Sequence, residues 1–306
     1  MSLENKFVDI KQGKLMVVSD IHGDWNDYQQ AIQNFEELKA RGEADFLIFD
    51  GDLIHGYPGY VDDSKRIIDD LIERGANQNS DIVTLLGNHD MIHIYHIKLQ
   101  KGSLHFTIPF EQAIQDNRDR YIDFLKSMPF AVRTAGGVLL IHSGASAIIG
   151  TGQEMNYGIS FDYFKLWPHD QILNEVANIA FQSQVPFHTS TFNPYIGQIF
   201  GQKKSGQFLW EVLMNKNEYQ YGEAYFGFIA RFLEFMGTGH SVPLNVLVSG
   251  HIEVPDGVQV VCDEQLRISS GYGSRTDSHK KYLLLHASKA YRNAYELASE
   301  CRNLYP

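Results

Sequence analysis

Five short groups of polar residues in this sequence carry oxygen and nitrogen donors of the kind that bind metal ions. Each group follows directly on an apolar run, and none contains a cysteine. Such donors suit hard or borderline cations such as manganese, iron or zinc and do not suit copper(I). The candidate ligands are Asp20, His22, Asp52, Asn88, His142 and His251, and His89 and Asp90 stand directly behind Asn88.

The number of donors favours two metal ions over one. A catalytic zinc ion takes three protein ligands and keeps one position open, whereas six donors suit two ions that share a carboxylate. Such a pair can stabilise both the attacking and the leaving oxygen of an in-line phosphoryl displacement. Phosphoester hydrolysis is therefore the chemistry that this donor set favours.

The apolar runs that precede these groups predict buried strands, because they are short and rich in β-branched residues. The runs are "KLMVVSD", "DFLIFDGD", "DIVTLLGNHD", "GVLLIHSG" and "LNVLVSGH". In an α/β sheet the carboxyl ends of the strands line one crevice, so residues as far apart as Asp20 and His251 can meet there. A single histidine at a strand end is more often a hydrogen-bonded loop residue, but five such groups together favour one site.

Helical patterns between the early strands predict βαβ units. Residues 28–38 place apolar side chains on one helix face, and residues 67–72 do the same in a helix that Gly75 caps. After Leu247 the runs "GVQVVCDE", "LRISSG" and "KYLLLHA" follow without helices between them, which predicts an antiparallel part of the sheet. The stretch "KAYRNAYELASECRNL" predicts a C-terminal helix.

The composition limits what the protein binds. Its 306 residues, 43% of them hydrophobic, can bury a large core, and we predict a single domain over residues 1–306. The net charge of −11 argues against a surface that binds nucleic acid or anionic lipid. Two cysteines are too few for a disulfide framework. The sequence has no signal-peptide core and no run of about 18 apolar residues, so we predict a cytoplasmic protein without a membrane partner.

The motifs "SDIHGD", "FDGDL", "LLGNHD", "LIHSGA" and "VSGHIE" follow one another in an order that is known from a family. In them the chain resembles the calcineurin-like metallophosphoesterases, and most of all the phosphoprotein (serine/threonine) phosphatase branch and its bacterial relatives. The stretches "SMPFAVRTAGGVLLIHSGA", "GQFLWEVL", "FGFIARFLEFMG" and "SGHIEVPDGVQVVCDEQLRISSGYGS" extend the resemblance from Val17 to about Ser274. The resemblance implies an α/β (α+β) fold, a four-layer α/β/β/α sandwich.

The resemblance also implies roles for individual residues. Two divalent or trivalent ions (manganese, iron or zinc) would be the cofactors, and in-line attack of a metal-bound hydroxide would cleave a phosphomonoester. His89 would protonate the leaving oxygen, and Asp90 would help to hold that strand end or ring. Many other branches carry one more histidine ligand, where this chain has Glu253. The implied ligands are Asp20 and His22 for the first metal, Asp52 as the bridge, and Asn88, His142 and His251 for the second.

The chain departs from the phosphatase branch in its phosphate-binding residues. An Asp-Arg-Gly element is expected after the bridging aspartate, but "GDLIHGYPG" has His55 and Gly56 in its place. A neutral His55 can hydrogen-bond His89, whereas a protonated His55 would oppose its charge. A second arginine has no counterpart in "EVLMNKNEYQYGE". His55 and Arg275 are therefore the candidate substrate-binding residues, and Arg133, Lys203 and Lys204 are further candidates for the missing cations.

A long segment, about residues 150–206, interrupts the resemblance and predicts a cap-like insertion. Either it covers the substrate, or it is additional core or a contact for a second subunit. Because it carries the adjacent pair Lys203 and Lys204, we expect it to border the metal crevice. The remaining histidines that match no motif are predicted to be structural or exposed; they are His93, His96, His105, His169 and His188.

The sequence thus predicts a two-metal phosphomonoesterase that acts on a phosphorylated substrate. The branch that it resembles implies a phosphoprotein substrate. The missing arginines keep a small phosphorylated metabolite or a dinucleoside polyphosphate as alternatives. A non-catalytic scaffold has less support, because the ligand set and His89 are all present. The oligomeric state is left open.

Overall fold

Two β-sheets form the centre of the protein. The computed structural model describes residues 5–57, 61–78, 80–150, 159–187, 193, 195–214 and 217–306. The strands are β1 (Phe7–Ile10), β2 (Lys14–Val18), β3 (Phe46–Phe49), β4 (Ile82–Thr84), β5 (Gln100–Lys101), β6 (Leu104–His105), β7 (Ala131–Thr134), β8 (Val138–Ile141), β9 (Val246–Ser249), β10 (Val258–Cys262), β11 (Gln265–Ile268), β12 (Lys281–His286) and β13 (Cys301–Asn303).

The strands are arranged in a five-stranded sheet, a six-stranded sheet and a small hairpin. The five-stranded sheet has the order β13-β12-β2-β3-β4, the six-stranded sheet β1-β7-β8-β9-β11-β10, and β5 pairs with β6. Strands β2, β3 and β4 are parallel, which confirms the predicted βαβ units. The predicted antiparallel part is confirmed where β10 pairs with β11 and where β12 pairs with β2, although β11 runs parallel to β9.

Helices cover both sheets. They are α1 (Trp25–Ala40), α2 (Ser64–Glu73), α3 (Asn88–Ile94), α4 (Thr107–Ile114), α5 (Arg118–Ser127), α6 (Ala147–Gly150), α7 (Phe161–Lys165), α8 (His169–Gln182), α9 (Ile196–Gln202), α10 (Lys204–Leu213), α11 (Asn217–Tyr221), α12 (Phe226–Met236) and α13 (Ala294–Ala298).

The sheets pack face to face because alternate strand residues point to opposite sides. Val17 and Ile48 of the five-stranded sheet share one hydrophobic cluster with Leu140 and Val248 of the six-stranded sheet. Their neighbours along the strands, such as Met16, belong instead to the cluster that contains the helix side chains. The result is the predicted mixed α/β sandwich of helices, two sheets and helices.

The local sequence accounts for most helix boundaries. Asp24 caps α1 by accepting the backbone N–H groups of Asn26 and Asp27, which satisfies donors that a helix start leaves without partners. Gly75 follows α2 with a left-handed φ of +68°, as its predicted capping role requires. The predicted C-terminal helix is partly wrong: only α13 is helical, and the chain then pairs with β12 as strand β13.

The described part of the inserted segment lies in the hydrophobic core. Phe164 of α7 packs on Phe7 and Phe130, with ring centroids 5.4 and 4.9 Å apart. Trp167 donates its Nε1–H to the hydroxyl of Tyr95 at 2.9 Å. The additional-core alternative therefore describes this part of the segment better than a cap does. Residues 151–158, 188–192 and 194 of the segment lie outside the described residues.

Among the helices of the described residues, none combines the length and the apolar character that a membrane crossing needs.

Candidate metal centre

The ends of five strands bring the predicted ligands together from both sheets. The five-stranded sheet supplies Asp20 and His22 after β2, Asp52 after β3 and Asn88 after β4. In the six-stranded sheet the parallel strands β8 and β9 end just before the last two ligands. These are His142 and His251, one and two residues beyond their strands.

Four of these side chains form a compact group. The Oδ1 atom of Asn88 lies 3.1 Å from Nε2 of His142 and 2.9 Å from Nδ1 of His251. Nε2 of His142 also lies 3.2 Å from Oδ2 of Asp52. An amide oxygen, two imidazole nitrogens and a carboxylate oxygen thus converge, as the predicted second metal site requires.

The predicted first site adjoins this group and shares Asp52 with it. Nε2 of His22 lies 3.9 Å from Oδ1 of Asp20 and 3.8 Å from Oδ2 of Asp52. The ligand atoms of Asp52, His142 and His251 all lie within 4.8 Å of one another, and so do those of His22, Asp52 and His89. Two metal-sized groups that share one carboxylate fit a dinuclear centre.

The charges at the centre also fit a bound cation. Burial raises the pKa of Asp20 and of Asp50, and neither carboxylate oxygen of Asp50 has a hydrogen-bond partner among the residues described. Burial opposes ionisation of Asp52 too, but His142 and His89 beside it lower its pKa well below the usual value. Burial alone would lower the pKa of His142, but the neighbouring carboxylates of Asp52 and Asp20 together outweigh burial and raise the pKa to about 10. A metal ion would compensate these carboxylates in place of that proton.

Backbone strain is concentrated at the centre. Asp20, His22, Asp52, His55 and His251 all have left-handed φ angles, between +47° and +75°. Such a conformation is uncommon for a residue with a Cβ and costs about 1–3 kcal/mol. It persists where surrounding contacts fix the backbone, and here it follows strand ends that must turn sharply to aim side chains at one point.

Asp90 holds the turn that carries two of the functional side chains. Its Oδ2 accepts the backbone N–H groups of Gly87 and Asp52, each at 3.0 Å. Asp52 in turn accepts the backbone N–H of His89 through Oδ1, at 2.9 Å. A Cβ atom at Gly87 would overlap Asp52, so glycine permits this close approach. Asp90 thus fixes the turn that precedes His89, and its part in the reaction stays a prediction.

His55 contacts His89, as the sequence suggested that a neutral His55 would. The two Nδ1 atoms lie 3.0 Å apart. Burial, together with the neighbouring His93 and His89, lowers the pKa of His55 well below its usual value, so the ring is neutral at neutral pH. The alternative in which a protonated His55 opposes His89 is therefore not favoured.

Sequence reasoning missed a pair of tyrosines beside the centre. Tyr57 and Tyr272 stack face to face, with ring centroids 3.6 Å apart and ring planes 2° apart. Both rings meet His22 edge-on, at 4.9 and 6.0 Å. The two tyrosines are 215 positions apart in the sequence, and no motif pairs them.

The prediction that Arg133 could replace a phosphate-binding arginine is wrong. Its guanidinium is buried and pairs with both carboxylate oxygens of Asp9, at 2.7 and 2.9 Å. The remaining nitrogen donates to the backbone carbonyl groups of Met236 and Thr238. All of these partners belong to the sheet edge and the end of α12, so Arg133 is structural.

The other candidate cations also have partners elsewhere. Arg275 is exposed and its Nη1 lies 3.2 Å from Oδ1 of Asp256, and its role in substrate binding stays a prediction. Lys203 pairs with Glu175 of α8, inside the inserted segment. The expectation that Lys203 would reach the phosphate is therefore wrong, and Lys204 is exposed at the start of α10.

The histidines without a motif are mostly structural, as predicted, but His93 is more than that. His169 is buried and its Nδ1 lies 2.6 Å from the hydroxyl of Tyr95, His96 is buried, and His105 is exposed. His188 lies outside the described residues. His93 is fully buried and connects to His55. Its spacing of four residues from His89, on one face of α3, is the sequence signal that could have found it.

A sequence profile described as calcineurin-like phosphoesterase matches residues 13–255. A search of the curated proteins finds no match. A solved cold-active protein-tyrosine phosphatase from a psychrophilic Shewanella species has 13% identity and a TM-score of 0.52, covering 94% of this chain and 80% of that chain. A serine/threonine phosphatase from Saccharomyces cerevisiae has 14% identity and a TM-score of 0.45, covering 92% and 76%. Because the profile spans more than half of the sequence, this chain belongs to the calcineurin-like phosphoesterases and is a metal-dependent phosphoester hydrolase.

Proposed function

We propose that the protein is a dinuclear phosphomonoesterase that acts in the manner of a serine/threonine phosphatase. One observation carries this proposal: the ligand atoms of Asp52, His142 and His251 lie within 4.8 Å of one another, and a ring nitrogen of His89 lies equally close to the ligand atoms of His22 and Asp52. A phosphoryl group held there would meet both a cationic centre and a proton donor. A cytoplasmic location and a single domain stay predictions.

The ligands divide as the resemblance implies. Asp20 and His22 would hold one ion, Asn88, His142 and His251 the other, and Asp52 both. Bound ions would acidify a water molecule and neutralise the charge of the phosphoryl oxygens. The backbone N–H of His251 donates to both carboxylate oxygens of Asp20, at 3.0 and 3.1 Å, which fixes the orientation of that carboxylate.

His89 is the proposed general acid. Its Nδ1 faces His55, which leaves Nε2 as the ring nitrogen for the substrate. As the bond between phosphorus and the ester oxygen breaks and a water oxygen bonds to phosphorus, Nε2 of a protonated His89 donates its proton to the leaving oxygen. Positioned proton donors of this kind contribute about 100- to 10,000-fold to the rate.

A pocket beside His22 bears on the choice of substrate. It has a volume of about 230 Å³ and is lined by Asp24, Asp27 and Glu253, together with the two stacked tyrosines. Lys280 also lines it but donates to Asp27 at 2.7 Å. The excess of carboxylates repels polyanions, because like charges at short range oppose each other. This favours a compact phosphomonoester over a dinucleoside polyphosphate.

The test combines metal analysis with a substrate panel. The purified protein is assayed with a phosphoserine peptide, a phosphotyrosine peptide, glycerol phosphate, a bis-aryl phosphodiester and a dinucleoside tetraphosphate. The phosphotyrosine peptide is included because one solved structure of this fold is named a tyrosine phosphatase. We expect metal analysis to find about two metal ions per chain. We also expect kcat/KM for at least one monoester to exceed the values for the phosphodiester and the dinucleoside tetraphosphate by ten-fold or more.

Other outcomes would point elsewhere. A preference for the dinucleoside tetraphosphate would replace the monoesterase proposal with the polyphosphate alternative. No hydrolysis at all by protein that holds two metals would favour the non-catalytic scaffold.

A further inference from the structure

Three buried imidazole rings form a continuous line that begins at His89. The Nδ1 atoms of His89 and His55 lie 3.0 Å apart, and Nε2 of His55 lies 2.7 Å from Nε2 of His93. His89 and His93 stand one turn apart on α3, and His55 inserts between them from the loop after β3. The three side chains are at most 7% exposed.

The line ends at an ion pair. Nδ1 of His93 lies 2.7 Å from Oε1 of Glu111 on α4. Arg118, at the start of α5, donates from Nε to Oε2 of Glu111 at 2.8 Å and from Nη2 to Oε1 at 3.2 Å. Arg118 also donates to the backbone carbonyl of His93, at 2.9 Å. The carboxylate of Glu111 is thus held in place by a bidentate ion pair with Arg118.

The donor and acceptor capacity of each ring fixes the direction of the hydrogen bonds along the line. An ionised carboxylate only accepts, so His93 donates from Nδ1 to Glu111, and the Nε2 of a neutral His93 is then an acceptor. His55 must donate to it from Nε2, which leaves Nδ1 of His55 to accept the Nδ1–H of His89. Each ring therefore fixes the tautomer of the next, and the outcome at His89 is a ring whose Nε2 faces the phosphoryl site.

The surroundings exclude water from this line. The ring of Phe106 lies 5.9 Å from His55 and 5.1 Å from His89, and the ring of Phe110 lies 4.8 Å from His93. Burial lowers the pKa of His93, and although burial opposes ionisation of Glu111, His93 and Arg118 lower the pKa of its carboxyl. Hydrogen bonds in such a shielded place are stronger than in water.

The backbone conformation of His55 is strained and directs its ring between His89 and His93. Its φ is +75°, and its backbone N–H donates to Oγ of Ser64 at 2.8 Å. A strained residue of this kind persists because its environment fixes it. The contact with Ser64, the first residue of α2, ties the loop to the helix that follows it.

We infer that His55, His93 and Glu111 are positioning residues that orient His89 and fix its tautomer, so that Nε2 is the atom presented to the leaving oxygen. The inference rests on the proposed function in one respect, that His89 is the proton donor. The carboxylate of Glu111 thereby acts on His89 through the two imidazoles of His93 and His55.

The kinetic test breaks the line at its middle. His93→Phe removes the acceptor for His55 while leaving an aromatic ring in the core. We expect kcat for phenyl phosphate, which has a poor leaving group, to fall by about 10- to 100-fold, the range for partners behind an active group. KM and the bound metal content should not change, and kcat for 2,4-dinitrophenyl phosphate should fall less than about three-fold, since that leaving group needs no proton.

A rescue variant and a control separate positioning from general damage. His93→Gln offers a carbonyl oxygen to Nε2–H of His55, and we expect it to recover most of kcat for phenyl phosphate. His169→Gln removes a buried imidazole that contacts Tyr95 and lies outside the line, and we expect both esters to be hydrolysed at the wild-type rate. Equal losses for both esters in His93→Phe, or no recovery in His93→Gln, would overturn the inference.

NMR spectroscopy tests the predicted tautomers of the three histidines independently of any activity assay. In ¹⁵N-labelled wild-type protein, metal-free and zinc-loaded, histidine NMR correlations should show Nδ1–H tautomers for His89 and His93 and an Nε2–H tautomer for His55. In His93→Phe the single tautomer of His89 should be lost. If the wild-type protein hydrolyses no ester, the proposed function fails, and this pattern still supports or refutes the inference. An Nε2–H tautomer at neutral His89 in the wild type would refute it.

Discussion

At His55 the neighbourhood decides whether the ring carries a charge, and the residue type alone does not. The sequence identified the contact with His89 but left the protonation state open. Burial between two other imidazoles settles it in favour of the neutral ring. The candidate metal ligands, by contrast, could be named one by one because each belongs to a short motif. Glu111 and Arg118 were not, because they reach the line from α4 and α5 and belong to no local motif.

His89→Asn tests the proton donor itself. Asparagine keeps the polarity of the site but cannot donate a proton at neutral pH, so hydrolysis of phenyl phosphate should slow by about 100- to 10,000-fold. Hydrolysis of 2,4-dinitrophenyl phosphate should slow far less, and both metals should remain bound. Steady-state kinetics with the two esters, together with metal analysis, checks this. If the two esters lose activity equally, His89 is not the acid.

At the scale of the elements, the sequence predicted strands where apolar runs are long and continuous and missed them where they are short. The strands that end in ligands all matched. Strands β1, β5, β6, β7 and β13 were missed, because a few residues of mixed polarity carry little periodic signal. The inserted segment could not be placed either. What fixes its described part is packing on Phe7 and Phe130, which are distant in sequence.

The inserted segment should make the protein sensitive to acid through His169. Burial lowers the pKa of His169 well below its usual value, and its Nδ1 lies 2.6 Å from the hydroxyl of Tyr95. Below pH 6.5 the unfolded chain binds a proton at this residue that the native protein does not bind. The native state therefore loses about 1.4 kcal/mol of stability per pH unit from this group as pH falls.

His169→Gln removes this dependence. The variant should be less stable than the wild type at pH 7, because the buried contact with Tyr95 is weakened, and the difference in free energy of unfolding should shrink between pH 7 and pH 5. Urea unfolding of both proteins at several pH values measures it, with the exposed His105→Gln as a surface control. A difference that stays constant with pH would show that His169 is not buried in its neutral form.

At the scale of the whole molecule, the metal centre joins the two sheets. Asp20, Asp52 and Asn88 come from the five-stranded sheet, and His142 and His251 come from the six-stranded sheet. The carboxylates that meet there are buried and need a cation. A metal that binds only when both sheets are in place must stabilise the folded protein as well as the reaction, because the unfolded chain does not assemble the ligands.

Removal of the metals should therefore lower the thermal stability of the whole protein. At a free metal concentration about 1,000 times the Kd, binding stabilises the native state by about 4 kcal/mol, and for a chain of this size that corresponds to a shift in Tm of about 6 °C. Calorimetry of chelated protein, before and after manganese or zinc is returned, measures the shift. Asp52→Asn, which removes the shared carboxylate charge, should fold yet lose both activity and most of the metal-dependent shift. If this variant keeps two bound metals and the full shift, Asp52 does not bridge the ions, and the two sheets are held together without the centre.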